Sequence, residues 1–223
     1  MKKRILAICI VVCICFLTTG VAVVYAATGD NLFFLAGQFF KSAQEETARP
    51  NGNEKVLATY DGEPITSTVV EYYKNMTILN NSANSLKTDR DVVDYIIMNM
   101  ILTDEATRLG ISASDSDIEA FVNNAIRAYE IPEGKKVLDA YFEGAGITME
   151  EYLEYLREQA PSIIARQRLK DEIGRQYCDE NGLEFTKVNP PAGMEEAQEE
   201  YINKLFEDNK DKIEYHINDH VVS

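Results

Sequence analysis

The only two histidines of this 223-residue chain, His216 and His220, frame the segment His216-Ile217-Asn218-Asp219-His220. It has the outline of the inverted zinc-protease motif H-x-x-E-H, with Asp in place of Glu. That chemistry needs both imidazoles on one helical turn around one metal. Ile213, Tyr215 and Ile217 instead alternate with Glu214, His216 and Asn218, the period of a half-buried strand. On a strand the two histidines would stand roughly 13 Å apart, too far to share a zinc ion. The carboxylate pairs Asp115/Asp117 and Glu150/Glu151 have the residue types of a general acid and base. Each opens a helical pattern, where the helix dipole favours acidic residues, and is read as capping. Gly144-Ala145-Gly146 lacks the lysine and following hydroxyl of a phosphate loop and is read as a helix stop. No metal or cofactor is expected.

The elements around these residues are mostly helical. Thr66 or Ser67 can cap a helix carrying Val69, Val70, Tyr73 and Met76. Thr88 with Asp91 opens a second, nearly all-apolar at its centre from Tyr95 to Leu102, and Gly110 is placed to end it. Ser114 with Asp117 begins a third, marked by Ile118, Phe121, Val122, Ala125, Ile126 and Tyr129. A short helix is expected from about Lys136 to Phe142. Thr148 with Glu151 then caps the longest helix, which Pro161 should kink or divide. Cys178 to Gly193 reads as a loop, followed by a last helix with Met194, Ala197, Tyr201, Leu205 and Phe206 on one face.

Val56 to Thr66, VLATYDGEPIT, is the exception: two short runs joined by Asp61-Gly62, the strongest short signal for a two-residue hairpin. A lone hairpin is marginal in water, so it needs a partner. The C-terminal KIEYHIN segment is the other strand-like stretch. Pro64 cannot donate to a ladder, which puts the second hairpin strand at an edge and leaves Val56 to Tyr60 to accept that partner.

Lys2, Lys3 and Arg4 precede an uncharged apolar run from Ile5 to about Ala27. Residues 1–27 read as a cleaved signal peptide or an uncleaved signal-anchor, and either places the rest of the chain outside the cytoplasm, secreted or membrane-anchored. Cys9, Cys13 and Cys15 lie inside that run. Cys178 is then alone, so a packed core rather than an internal disulfide must provide stability. In residues 28–43, Leu32, Leu35, Ala36, Phe39 and Phe40 mark an apolar helix face, expected to lie on the membrane surface or to dock on its own domain. Residues 44–54 read as a linker and residues 55–223 as the folded domain. The formal net charge is −15, and the three basic residues at the start make the remainder more acidic still. Nucleic acid is a poor partner for such a surface. The sequons at Asn75 and Asn80 matter only in a glycosylating host.

TYDGEPIT, then EATRLGISASDSDIEAFV (Glu105 to Val122), then EGAGITMEEYLEYLRE (Glu143 to Glu158), resembles the chaperone domain of SurA-type and PrsA-type extracytoplasmic folding factors, a group that includes the substrate-binding region of trigger factor. The resemblance covers about Lys55 to Ile173. Val69 departs from it, since the family usually has an acid at that point of its first helix. It implies a mainly α fold, a helical SurA N-terminal-like lobe with a small sheet made by the N-terminal hairpin and a C-terminal strand. It further implies a non-catalytic holdase for apolar segments of unfolded or nascent secreted proteins; the apolar N-terminal run is what would join it to the membrane. Many relatives carry a parvulin prolyl isomerase domain where this chain has only Cys178 to Gly193, and the reading is of a non-isomerase. A module for one specific partner, or a foldase with residual isomerase activity, is the alternative. Flexible methionines and amphipathic tyrosines suit a surface that accepts many sequences, which makes Tyr72, Tyr73, Tyr95, Met98, Met100, Tyr129, Tyr141 and Tyr155 the candidate client-binding residues.

Overall fold

The computed structural model describes residues 30–48, 55–79 and 88–217. In chain order they form α1 (Asp30–Ala48), β1 (Val56–Tyr60), β2 (Glu63–Thr66), α2 (Ser67–Leu79), α3 (Asp89–Arg108), α4 (Asp115–Glu130), α5 (Pro132–Ala145), α6 (Met149–Asn181), α7 (Met194–Asp208), a 3-10 turn (Lys210–Lys212) and β3 (Ile213–Tyr215). The architecture is mainly α with one small antiparallel sheet.

Sheet order is β2-β1-β3, so the strand carrying Pro64 is an edge and β1 is central. Asp61 and Gly62 take φ of 48° and 75°, the two positive values a type I′ turn requires. The β1–β2 register pairs Ala58 with Ile65 and Tyr60 with Glu63, with a bulge between Val56 and Ala58. On the other side Ala58 faces Tyr215 and Tyr60 faces Ile213. Two further bonds lengthen that ladder: Asp61 N donates to Lys212 O (2.9 Å) and His216 N to Leu57 O (2.8 Å). His216 is therefore in extended chain rather than on a helical turn; His220 lies outside the described residues.

Capping boxes start three helices. Thr88 with Asp91, Ser114 with Asp117 and Thr148 with Glu151 each exchange the reciprocal side-chain to backbone bonds that satisfy otherwise orphaned N–H groups. One member of each acidic pair, Asp117 and Glu151, thus does capping work, and Asp117 also pairs with Arg168 at 2.6 Å. The Ser114 hydroxyl and backbone, with Arg168, hold the Asp117 carboxyl below its ordinary range. α6 is one continuous 33-residue helix through Pro161, so the expected division there does not occur. Pro161 faces solvent, where its ring displaces no core side chain, and the packed helix continues at the cost of one internal bond. α5 is twice the expected length, because Pro132 takes the first helical turn and Gly146, at φ 67°, ends it.

The main core gathers residues from α1, the sheet and α2 to α6, among them Phe40, Ile65, Val70, Tyr73, Ile96, Ile97 and Leu156. A second, smaller cluster of Leu102, Ala106, Ala165, Leu169 and Ile173 joins α3 to α6 and is flanked by Tyr201 and Ile202 of α7. The apolar face of α1 is part of the first core, which corrects the membrane-surface expectation and moves the start of the folded unit upstream of residue 55. The inward face is also rotated. Phe33, Ala36, Gly37, Phe40 and Ala43 point inward, while Leu35 is 42% exposed.

The reason for that rotation is steric. A Cβ on Gly37 would stand 2.2 Å from Tyr141 O, and one on Gly144 2.0 Å from Phe34 O, so α1 and α5 cross backbone to backbone. Gly144 is accordingly a crossing residue inside α5 and not a helix stop; Gly146 has that role.

Candidate functional site

The eight candidate client-binding residues do not share one surface. Tyr72, Tyr73, Met100 and Tyr141 are 8% exposed or less and belong to the core, which corrects their assignment as surface contacts. Each lies on the inward stripe of a helix, where an aromatic or methionine side chain fills volume as readily as it would meet a client. Tyr73 stacks edge-on to both Tyr72 and Tyr95, and Tyr95 keeps 38% exposure. Tyr141, Phe142 and Tyr152 form a second aromatic group that reaches Tyr129 through Phe142. Tyr129 donates to Asp139 Oδ1 (2.8 Å) and accepts from Lys135 Nζ (2.8 Å). Tyr155 is half-buried against Phe40 of α1, and Met98 is half-buried beside the second core cluster.

An open cleft lies elsewhere, at the junction of α3, α7, the 3-10 turn and the end of β1. Its volume is about 590 Å³. Leu205 and Tyr201 are its half-buried apolar and aromatic lining, Ile101 and Tyr60 lie buried in its floor, and Asp104, Arg108, Lys204, Asp208 and Lys212 are its exposed charged margin. Helix periodicity explains the assembly: Ile101, Asp104, Glu105 and Arg108 recur on one face of α3, and Tyr201, Lys204, Leu205 and Asp208 on one face of α7.

Glu105 is the fixed point of the cleft. Its side chain is 8% exposed and receives Arg108 Nε on Oε2 (2.6 Å), Arg108 Nη2 on Oε1 (2.7 Å) and the Tyr201 hydroxyl on Oε1 (2.9 Å). Arg108, more than the opposing effect of burial, holds the Glu105 carboxyl below the ordinary range, so it is ionised at neutral pH. Burial and the Glu105 carboxylate push the Tyr201 phenol up; burial and Asp104 do the same to Tyr60. Both phenols are therefore neutral donors. Such a site offers hydrogen bonds and apolar contact to a ligand rather than an activated nucleophile. Among the described residues, no group of three or more His, Cys, Asp or Glu is placed to hold a metal ion.

None of the cleft residues was singled out by periodicity as a binding residue, although Tyr201 and Leu205 were placed on the right face of α7. The signal available was the place of Glu105 on the apolar stripe of α3, in step with Ile97 and Ile101 at i+4 spacing, with Arg108 three residues on. The segment between α6 and α7 is itself tied down. Gly182 closes α6, Lys187 pairs with the buried Asp171, Arg175 lies 4.8 Å over the Phe185 ring, and Tyr177 donates to Ala192 O (3.1 Å). Cys178 is buried within α6 as a free thiol. No helix among the described residues is long and apolar enough to cross a membrane. Comparison of the chain with family models, curated proteins and solved structures returned no match.

Proposed function

We propose that this chain is a membrane-associated extracytoplasmic holdase that binds exposed apolar segments of unfolded secreted proteins without acting on them covalently. The observation that carries the proposal is the open cleft between α3 and α7, where half-buried Leu205 and Tyr201 are edged by charges of both signs. A short apolar segment flanked by polar residues meets such a cleft with its side chains inside and its backbone near donors and acceptors. Charges of both signs at the margin tolerate clients of either sign, as a non-selective binder requires. The motif order that resembles SurA-type and PrsA-type folding factors supports the same reading. So does the short, pinned connection between α6 and α7 where many of those relatives insert an isomerase.

The test uses the chain from Thr28 onward, which retains α1. Near-stoichiometric protein should slow the aggregation of several unrelated unfolded proteins, and a photo-crosslinking residue at position 204 or 212 should capture them. Capture of one partner only, with no effect on aggregation, would instead establish a dedicated interaction module. Prolyl isomerisation above background in a peptide assay would restore the foldase alternative.

A further inference from the structure

We infer that α2, α5 and α6 form a helix-binding groove whose present occupant, α1, is a tethered stand-in for an amphipathic client helix. The inference rests on the holdase reading and adds a second site with its own ligand chemistry: a helix with aromatic residues on either side of a glycine-sized residue.

The topology sets α1 apart. The sheet joins β1 to β3, so the strands close the path from Val56 to Tyr215 without α1, which adds its apolar face to the core from outside that closure and precedes it across the polar sequence Arg49-Pro50-Asn51-Gly52-Asn53-Glu54. A helix outside that closure can leave and return without unthreading a strand.

The contact has the form of helix-in-groove recognition, with anchors at i, i+3, i+4 and i+7: Phe33, Ala36, Gly37 and Phe40. Phe40 enters between Tyr141 and Tyr155, its ring 5.9 Å and 5.4 Å from theirs. Gly37 rests on the α5 backbone, where a Cβ would meet Tyr141 O at 2.2 Å and Ala145 N at 2.6 Å. The groove thus reads two features of its occupant. The aromatic anchors supply contact area that many sequences can match, and the crossing residue imposes a size limit that few can. Tyr141 and Tyr155, chosen from sequence as client-binding residues, meet a helix in this way, and that helix belongs to the same chain. A short tether holds α1 at an effective concentration in the millimolar range, so a client must match the pattern or find α1 displaced.

The test replaces residues 49–54 with a protease recognition sequence in the full chain, held in detergent, and cuts it. A fluorescent peptide of the sequence Asp30–Ala48 is then added. Anisotropy should rise as the peptide exchanges into the cut chain, at least tenfold more tightly than into the uncut one. A peptide of unrelated polar sequence carrying Phe, Ala, Gly and Phe at the same spacing should compete, and the Gly37→Leu version of the labelled peptide should bind at least tenfold more weakly. Absence of uptake, equal binding of the Gly37→Leu peptide, or loss of the near-ultraviolet tyrosine signal when α1 departs would overturn the inference, the last by showing α1 to be an integral core helix. Aggregation suppression without peptide exchange would sink this inference alone. Peptide exchange without aggregation suppression would sink the holdase reading and remove the client, leaving a groove for α1.

Discussion

The Tyr215 hydroxyl donates to Asp94 Oδ1 across 2.7 Å, while the Arg90 guanidinium lies 3.4 Å from the centre of the Tyr215 ring. Arg90 Nε reaches both Asp94 oxygens, at 3.1 and 3.0 Å. β3 is thereby fastened to the start of α3, and the same strand completes the sheet. Tyr215→Phe should lower stability by about 1–2 kcal/mol, as expected for a hydrogen bond to a charged group. Thermal unfolding checks it, and a cycle with Asp94→Asn should show coupling; strictly additive effects would mean that the bond contributes nothing.

The same bond predicts behaviour in alkali. Burial first, and then the facing Asp94 for Tyr215 and Asp104 for Tyr60, push both phenols above the ordinary tyrosine range. A raised pKa in the folded state means that the stabilisation is fully present below the unfolded value, about 10, and is lost as pH rises above it. Urea midpoints should therefore fall from pH 9 upward, and the Tyr60→Phe/Tyr215→Phe variant should fall less steeply.

Glu105 acts at the acid end with the opposite sign. Its depressed carboxyl contributes stability above the ordinary carboxylate range, lost as pH drops through that range and below. The docking of α7 should weaken as pH falls below the ordinary glutamate value, about 4.3. Glu105→Gln should remove much of that dependence while lowering stability at pH 7 by about 1–3 kcal/mol, since Arg108 and Tyr201 lose their charged acceptor. An unchanged acid profile would show that α7 is held by other contacts.

Pro161 sits in the interior of α6 with its side chain exposed, so it breaks the backbone ladder without filling any core volume. Pro161→Ala should raise stability by about 1–3 kcal/mol, read as a higher melting temperature. A lower one would show that a bend at that point is needed for packing.

Gly62 isolates the contribution of backbone conformation at the hairpin. Its φ is 75°, and nothing lies within 4 Å of where a Cβ would stand, so Gly62→Ala changes conformational strain alone. A loss of about 1 kcal/mol is expected. Asp61→Asn, which tolerates positive φ at least as well, should be neutral by the same denaturant titration.

Local chemistry was legible wherever a few adjacent residues decide the outcome. The three capping boxes, the Asp61-Gly62 turn and the edge position of Pro64 each follow from a donor, a dihedral or a missing N–H within four residues. The pairing of β1 with β3 across more than 150 residues was legible for a different reason: the helical remainder offers the hairpin few strand-like partners. The tyrosines were not. Tyr141 and Tyr155 carry the same side chain on neighbouring helices, yet one is core and the other half-buried: both meet Phe40, but Tyr141 also packs on Tyr152 and lies where α1 crosses α5 at Gly37.

By itself, then, the sequence determined the order of the elements, the capped starts of three helices and the closure of the sheet, consequences of short-range hydrogen bonding and of apolar period; the ends of α5 and α6 were not among them. Only the tertiary structure decided where α1 goes and which charged residues face one another across the cleft. An amphipathic stripe has the same pattern whether lipid, a client or its own domain covers it. What selects the domain is the fit of two glycines, Gly37 and Gly144, which lie more than a hundred residues apart and show their purpose only when the helices cross.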